Sequence, residues 1–193
     1  IMKYIESLDN HSKNINAVNC VHFGSKIRGI NTDWEGYFKT LPKTKGIKNK
    51  ETVIIGYGGA ALAIHYVLLK KGFNKITIVN RTRKKIRFIK KTEYTKKLSS
   101  LYKYLKSAEI IINTTPTNPI NQKNKKLIMK KTILSDIVYN PKETAFLKSF
   151  PENNKIYGIS MLLEQAVPCF KLWFGFKPKI DTELKNILNY KIK

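Results

Sequence analysis

The stretch VIIGYGGAALAIHYVLLKKGFNKITIVNRTRKK, residues 53–85, decides the fold of this chain. A β-branched apolar run ends in a glycine turn, a run with apolar residues at helical spacing follows, and a second β-branched run ends at Asn80-Arg81-Thr82. Short β-branched runs predict buried strands, and the segment between them predicts a helix that stops at Gly72. The stretch therefore predicts a strand–helix–strand unit.

The same alternation continues toward the C-terminus. Apolar runs predict further strands at 108–113, 133–139 and 156–158. Thr82 is suited to cap a helix that carries Ile86 and Ile89, and another helix is predicted near 144–150. Because strand–helix alternation implies a parallel sheet with helices on both faces, we predict an α/β fold with a Rossmann-type, doubly wound parallel sheet.

The two ends of the chain do not follow this alternation. Gly24-Ser25 joins two predicted strands near the N-terminus, a helix follows them, and a polar segment leads from there to the first strand of the large sheet. Two further helices are predicted at the C-terminal end. These predicted elements are strands at 17–23 and 26–30, and helices at 33–41, 160–174 and 181–190.

The glycine turn fits the dinucleotide-binding pattern G-x-G-x-x-G/A. Its first glycine permits a tight turn out of the strand, its second lets a pyrophosphate approach the backbone, and the final alanine permits close packing of helix on strand. The helix N-terminus then offers free N–H groups to phosphates. We predict nucleotide binding here, with a turn that serves packing alone as the alternative. The residues are Gly56, Tyr57, Gly58, Gly59, Ala60 and Ala61.

The turn after the second strand indicates which nucleotide is bound. An NAD-binding domain places an acid about twenty residues beyond the glycines, where it accepts hydrogen bonds from the ribose 2′-hydroxyl. This chain has Asn80, Arg81 and Thr82 there, with Lys85 shortly after. A guanidinium bonds a 2′-phosphate bidentately, whereas a carboxylate repels it. We therefore predict NADP as the cofactor, with a charged loop that binds no ligand as the alternative.

The charge of the chain points less clearly to a partner. The 193 residues carry a formal net charge of +24, which is common in nucleic-acid-binding proteins. Only four of the 37 basic residues are arginine, although base and bidentate phosphate recognition favours arginine. The lysines are also spread along the chain. We therefore expect a solvated basic surface and no specific nucleic-acid partner, with a functional polyanion-binding patch as the alternative.

Other compositional features are consistent with a cytoplasmic globular protein. No apolar run approaches about eighteen residues and the N-terminus lacks the apolar core of a signal peptide, so we expect no membrane span. Cys20 and Cys169 lie far apart in sequence without metal-like spacing and are expected to be buried, reduced thiols. We expect no metal site and no catalytic role for the isolated His11, His22 and His65.

Seven short motifs, taken together, resemble the shikimate dehydrogenase family. They occur in the family's order and extend over essentially the whole chain, which makes the resemblance highly specific. The motifs are NAVN (16–19), GINTDWEG (29–36), GYGGAA (56–61), NRT (80–82), IINTTP (111–116), DIVYNP (136–141) and GISMLLEQA (158–166).

The resemblance implies a two-domain NADP oxidoreductase that reduces 3-dehydroshikimate to shikimate in aromatic amino-acid biosynthesis. It divides the chain into a remnant of the shikimate-binding domain (1–42), an NADP-binding domain (43–158) and C-terminal helices that return to the substrate domain (159–193). The partner is then a small molecule, and a homodimer is kept open for a full-length protein.

The resemblance also assigns residues. Asp33 corresponds to half of a catalytic Lys–Asp pair, since a proton must reach the oxygen as hydride transfer builds charge on it. A helix N-cap is the alternative role for Asp33. Neutral amides and hydroxyls suit a polyol because they both donate and accept hydrogen bonds. Asp33 and Asn19, Thr32, Tyr139 and Gln165 are the expected substrate-binding residues. Thr114, Thr115, Ile137, Gly158 and Met161 are expected at the cofactor, the last two at the nicotinamide.

The N-terminal end departs from the family pattern. Residue 1 is isoleucine, and the family's catalytic lysine and carboxylate-binding serines lie upstream of a segment like the first five residues. We expect an upstream part to be missing, and we do not assign the lysine's role to Lys3. Because loss of a proton relay costs about a hundredfold to ten-thousandfold, little turnover is expected from these residues alone.

Three other functions are considered. One is a non-catalytic NADP sensor or a nucleic-acid-binding Rossmann protein. The second is the quinate/shikimate branch of the superfamily, which often uses NAD and is disfavoured by Arg81. The third is the nucleotide domain of glutamyl-tRNA reductase, which does not explain NTDWEG at 31–36.

Overall fold

The computed structural model describes residues 1–43, 46–86 and 93–192. The N-terminal part forms a small sheet with the strand order β1-β3-β2, in which β1 is parallel and β2 antiparallel to β3. Helix α1 lies between β1 and β2 in the chain, and α2 follows β3. The elements are β1 (Ser7–Leu8), α1 (Asn10–Ile15), β2 (Cys20–Phe23), β3 (Ile27–Ile30) and α2 (Asp33–Thr40).

The rest of the chain forms a larger sheet and its helices. Short 3₁₀ helices occur at Met2–Tyr4, Ile47–Asn49 and Leu98–Ser100. The elements in chain order are β4 (Thr52–Ile55), α3 (Gly59–Lys70), β5 (Ile76–Asn80), β6 (Lys96–Lys97), α4 (Tyr102–Leu105), β7 (Ile110–Asn113), α5 (Gln122–Lys125), β8 (Ile133–Asp136), α6 (Ala145–Lys148), β9 (Lys155–Tyr157), α7 (Gly158–Phe174) and α8 (Thr182–Lys191).

The larger sheet is parallel throughout and has the order β6-β5-β4-β7-β8-β9. Counted from β4, this is the order of a doubly wound fold, so the fold-class prediction is confirmed. The strand order reverses between β4 and β7, where Ile55 pairs with Asn113. In such sheets ligands bind in the crevice beyond the carboxyl ends of the strands at this switch point.

Alternating residues of the strands build a core on each face of the sheet. Ile54 packs in one buried cluster with residues of α2, α3 and α7. Val53 and Ile55 point to the opposite face, into a second cluster with Leu105, Leu134 and Phe146. The fully buried β4 is therefore the central strand, as its continuous β-branched run predicts.

Close packing of α2 against α7 joins the N-terminal part to the larger sheet. A Cβ atom added at Gly36 would lie 2.8 Å from both the Met161 carbonyl oxygen and the Gln165 Cβ, so only glycine permits this approach. Lys39 of α2 also forms an ion pair with Glu164 of α7 at 3.0 Å. This packing brings Asp33, at the start of α2, next to Gln165.

The helix predicted after Thr82 is wrong for the residues that can be judged. Ile86 donates its N–H to the Glu93 carbonyl at 2.8 Å, and the Lys84 N–H donates to Thr95 Oγ1 at 3.0 Å, so this segment pairs with 93–95 instead. The run Arg83-Lys84-Lys85 places cations where a helix N-terminus disfavours them. Ile89 lies outside the described residues. No helix in the described part of the chain is long and apolar enough to cross a membrane.

Candidate active site

The glycine turn after β4 is shaped by steric contact with the strand beside it. Gly56 has φ +102°, and a Cβ there would lie 2.4 Å from Thr114 Oγ1. At Gly58 a Cβ would meet no atom within 4 Å. This open approach to the backbone at the N-cap of α3 is the space that a pyrophosphate needs, so the residues fit the predicted group.

Two of the predicted cofactor residues face the protein more than the crevice. Tyr57 is buried, and its ring lies edge-on to His65 with 6.5 Å between centroids, so only its backbone is offered to a ligand. Thr114 donates its hydroxyl proton to the Ile55 carbonyl at 2.7 Å and keeps only lone pairs for a ligand. Thr115, also expected at the cofactor, donates to Asn113 Oδ1 at 2.7 Å and lines the crevice beyond β4 and β5. These threonines therefore hold the loop after β7.

A cavity of about 440 Å³ opens between the ends of β4 and β5 and the loop after β7. Asn80 and Arg81 line it, as the motif predicts, whereas Thr82 and Lys85 are not in its wall. The Asn80 amide donates to the Thr82 carbonyl at 2.8 Å, which holds this turn. The sequence reasoning missed the far wall. The missed residues are Leu98, Pro116, Thr117, Asn118 and Pro119, whereas Gly56 and Thr115, both expected at the cofactor, also line the cavity.

A second cavity of about 270 Å³ lies where the glycine loop faces the N-terminal part and α7. Eight of its lining residues are predicted site residues, so this cavity joins the predicted cofactor and substrate residues. Leu162 also lines it and was missed, although it lies three residues before Gln165 and thus on the same helix face. The full lining is Asn19, Asp33, Ala60, Ile137, Tyr139, Gly158, Met161, Leu162 and Gln165.

A cluster of hydrogen bonds organises the polar side of this cleft. The Asn19 amide nitrogen lies 2.9 Å from Thr32 Oγ1 and 3.0 Å from both Asp33 Oδ1 and Gln165 Oε1. The Thr32 N–H donates to Asn19 Oδ1 at 2.7 Å. Thr32 itself is 2% exposed and does not line the cavity. Its hydroxyl therefore supports Asn19 and Gln165 from behind.

The carboxyl group of Asp33 is poised to hold a proton near neutral pH. Burial raises its pKa to about 6, and the hydrogen bond from Asn19 opposes this only in part. Thr32, not Asp33, is the N-cap residue of α2, so the capping role considered for Asp33 is wrong. No lysine or arginine in the described chain contributes to the shift, so these residues leave the carboxylate without a compensating cation.

The far wall of the cleft depends on a second close approach of backbones. A Cβ at Gly158 would lie 2.4 Å from the Ile137 carbonyl oxygen, so glycine is required where α7 leaves the sheet. Tyr139 is 44% exposed and stands at the cavity wall, so its hydroxyl is accessible to a ligand. Gly158 and Tyr139 therefore line the same cleft as Asn19.

None of the three histidines lines either cavity. Burial lowers the pKa of His65 to about 4, and the His11 ring nitrogen is 2.9 Å from the Tyr66 hydroxyl. Over the described residues, no group of three or more His, Cys, Asp or Glu side chains is arranged to hold a metal ion.

Comparisons with known proteins agree with this geometry. The family model for shikimate / quinate 5-dehydrogenase matches residues 40–158. The NADP(+) shikimate dehydrogenase of Methanococcus maripaludis strain C6 is 37% identical over 212 residues, covering 100% of this chain and 74% of the relative. That of Methanobrevibacter smithii is 33% identical, covering 97% and 72%. A crystal structure of a shikimate dehydrogenase in complex with NADP+ superposes with a TM-score of 0.81 at 31% identity, covering 100% and 73%.

Proposed function

This chain belongs to the shikimate / quinate 5-dehydrogenase family, and from that premise we propose that it acts in the NADP-dependent, reversible reduction of 3-dehydroshikimate to shikimate. Relatives at 33–37% identity carry the name NADP(+) shikimate dehydrogenase. The chain spans about three quarters of the length of these relatives, which are covered to 74% and 72%.

One observation carries the proposal. A single cavity is lined by a residue of the nucleotide loop, Ala60, by two predicted nicotinamide neighbours, Gly158 and Met161, and by the polar pair Asn19 and Asp33. A hydride donor and a polyhydroxylated ketone must meet in one cleft, within reach of a group that exchanges protons. This cavity brings the expected nicotinamide site, the polar substrate-binding residues and the proton-exchanging Asp33 together.

The chain's own residues supply positioning and proton chemistry. A bound dihydronicotinamide would supply the hydride. Asp33, with its pKa raised to about 6, holds or releases a proton within the working pH range. Asn19 donates to Asp33 Oδ1 and so fixes the orientation of the carboxyl group. In the family pattern a lysine shares this proton with the aspartate.

The cofactor preference rests on the turn after β5. Arg81 is exposed at the mouth of the 440 Å³ cavity, and no acidic side chain is among the residues that line it. A 2′-phosphate placed there would gain charge-assisted hydrogen bonds that a 2′-hydroxyl cannot form. We therefore assign NADP rather than NAD, and shikimate rather than an NAD-linked quinate reaction.

The domain assignment follows from the same arrangement. Residues 43–158 would hold the dinucleotide, and residues 1–42 and 159–193 would hold the substrate from the other side. Cytoplasmic location and a homodimeric state remain predictions from the sequence.

The test is NADPH oxidation with 3-dehydroshikimate, followed by nicotinamide absorbance over long incubations, in the wild-type chain and in Asp33→Asn. We expect slow oxidation that depends on substrate and that is lost in the variant, because the variant lacks the proton-exchanging group. Oxidation that is independent of Asp33 would contradict the assignment. So would oxidation that is equally fast with 3-dehydroquinate in place of 3-dehydroshikimate and with NADH in place of NADPH.

A further inference from the structure

Two cysteines lie directly behind the polar cluster of the cleft. Cys20 belongs to β2 and Cys169 to α7, and the two free thiols are 1% and 5% exposed. The packing of α7 against β2 brings them near each other, although 148 residues lie between them in sequence. The reaction proposed above uses neither thiol, so their contact with the site requires a separate explanation.

The hydrogen-bond directions around Thr32 follow from its single hydroxyl proton. Thr32 Oγ1 lies 3.1 Å from Gln165 Oε1 and 3.2 Å from Cys169 Sγ. An amide oxygen is the stronger acceptor, since sulfur accepts only weakly, so the proton points to Gln165. The lone pairs of Thr32 are then available to accept from the Asn19 amide, at 2.9 Å, and from the Cys169 thiol.

The Cys169 thiol has two possible acceptors. Cys169 Sγ lies 3.2 Å from Thr32 Oγ1 and 3.9 Å from Gln165 Oε1, so Thr32 is the nearer acceptor. Burial raises the pKa of the neighbouring Cys20 thiol to about 12, so Cys20 stays protonated. The donor sequence that reaches the cleft is therefore Cys169 to Thr32 to Gln165.

This series of hydrogen bonds fixes the orientation of the Gln165 amide. Its oxygen accepts from Thr32 at 3.1 Å and lies 3.0 Å from the Asn19 amide nitrogen, whose two protons are shared among Thr32, Asp33 and Gln165. Its nitrogen donates to the Leu162 carbonyl at 3.0 Å. The amide nitrogen carries two protons, so one remains as a donor for a ligand. Gln165 thus offers a donor, and not an acceptor, to whatever oxygen lies beside it.

We propose that Cys169 positions Thr32 and Gln165, and is thereby a specificity-determining positioning residue that presents Gln165 as a hydrogen-bond donor to a substrate hydroxyl oxygen. This inference rests on the proposed function for its substrate. It also makes a claim about the Gln165 amide that holds without substrate.

The test compares three variants. Cys169→Ala removes the donor to Thr32, Cys169→Ser restores a donor, and Cys20→Ala is the matched control, because it removes the same atoms one step further from Thr32. Calorimetric titration with shikimate in the presence of NADP+ gives the substrate dissociation constant, and titration with NADP+ alone gives that of the cofactor. Where turnover is measurable, KM and kcat are determined separately.

We expect Cys169→Ala to raise the shikimate dissociation constant and KM about two- to fivefold, as for loss of one weak neutral hydrogen bond. The NADP+ dissociation constant and kcat should change less than twofold, and Cys169→Ser should restore most of the affinity. If alanine and serine behave alike, or if Cys20→Ala weakens binding as much as Cys169→Ala, the thiols serve packing only and the proposal is wrong.

A second measurement keeps this inference separate from the proposed function. The side-chain amide resonances of Gln165, identified by their absence in Gln165→Glu, report the amide orientation without any ligand. We expect them to shift in Cys169→Ala and to return toward their wild-type positions in Cys169→Ser. Unchanged resonances in Cys169→Ala overturn the positioning role. Failure of the wild-type chain to bind shikimate contradicts the proposed function instead.

Discussion

Replacement of Asp33 by asparagine should stabilise the folded chain at neutral pH while it removes activity. The folded-state pKa of Asp33 is about 6, raised by burial from an ordinary value of 3.8. Between these values the folded chain keeps a proton that the unfolded chain releases, so the free energy of unfolding falls as pH rises from about 4 to about 6. It stays at the lower value above that window.

The magnitude follows from the difference between the two pKa values. At 1.36 kcal/mol per pKa unit, the difference amounts to at most about 3 kcal/mol. Because the carboxyl group faces an open cleft, screening by water reduces the expected effect to about 1–2 kcal/mol. Asparagine has the same shape and can still accept the hydrogen bond from Asn19, so this difference should appear as added stability of Asp33→Asn at pH 7.

Urea denaturation of both proteins from pH 4.5 to pH 8 measures the effect. The two unfolding free energies should converge at acid pH and separate by about 1–2 kcal/mol above pH 6, with the variant more stable. Asp181→Asn is the control, because Asp181 caps α8 at an exposed position through the Leu184 N–H at 2.8 Å. Loss of that charge at a helix N-terminus should lower stability slightly. If the wild-type chain is as stable as Asp33→Asn at pH 7, the ionised Asp33 carboxylate does not destabilise the fold and the reasoning is refuted.

Three further predictions concern the packing that forms the cleft. In urea denaturation, Gly56→Ala should lower the free energy of unfolding more than Gly72→Ala. Both glycines have positive φ, but only at Gly56 would a Cβ lie as close as 2.4 Å to another atom. Equal losses of stability would contradict the steric argument. Gly36→Ala should destabilise the chain by about 1–3 kcal/mol, since α2 and α7 must separate, and a change below about 0.5 kcal/mol would contradict that contact. Lys39→Met breaks the ion pairs to Glu35 and Glu164 and should lower the free energy of unfolding by only about 0.5 kcal/mol, and by less in high salt, because these side chains are about one-third exposed. A salt-independent loss of stability above about 1 kcal/mol would show that the ion pairs are buried.

Local patterns predicted the larger sheet well because local chemistry determines it. The β-branched run that ends at Ile55 and the glycines at 56 and 58 place a strand, a turn and a helix N-terminus in order, and each is observed. Gly72, with φ +81°, follows the end of α3 as its position in the sequence indicates. Here period and turn residues agree with the tertiary structure.

The segment after β5 shows where the same reasoning fails. Thr82 is a good helix cap by residue type, but Thr95, thirteen positions later, takes the Lys84 N–H and directs the chain into a strand-like pairing. The strand predicted at 133–139 also ends early, at Asp136, whose carboxylate accepts from the Val138 N–H at 3.1 Å. Both outcomes depend on side chain–backbone bonds that propensity does not encode.

The sequence does not show which of the expected site residues line the cleft and which lie behind it. Asn19, Asp33 and Gln165 meet as the resemblance implies, yet nothing in the sequence shows that Thr32 lies behind them. The contact of Cys169 with Thr32, at 3.2 Å, depends on how α7 packs against the N-terminal part, which only the packed structure defines. Long-range packing of this kind has no short-range signal in one sequence.

The most direct test of the account is a calorimetric titration of this chain with NADPH and with NADH, repeated in Arg81→Gln. The account predicts that NADPH binds at least about tenfold more tightly than NADH, through charge-assisted bonds at the turn after β5, and that the variant loses most of this preference. Equal affinity for the two nucleotides, or no binding of either, would contradict it.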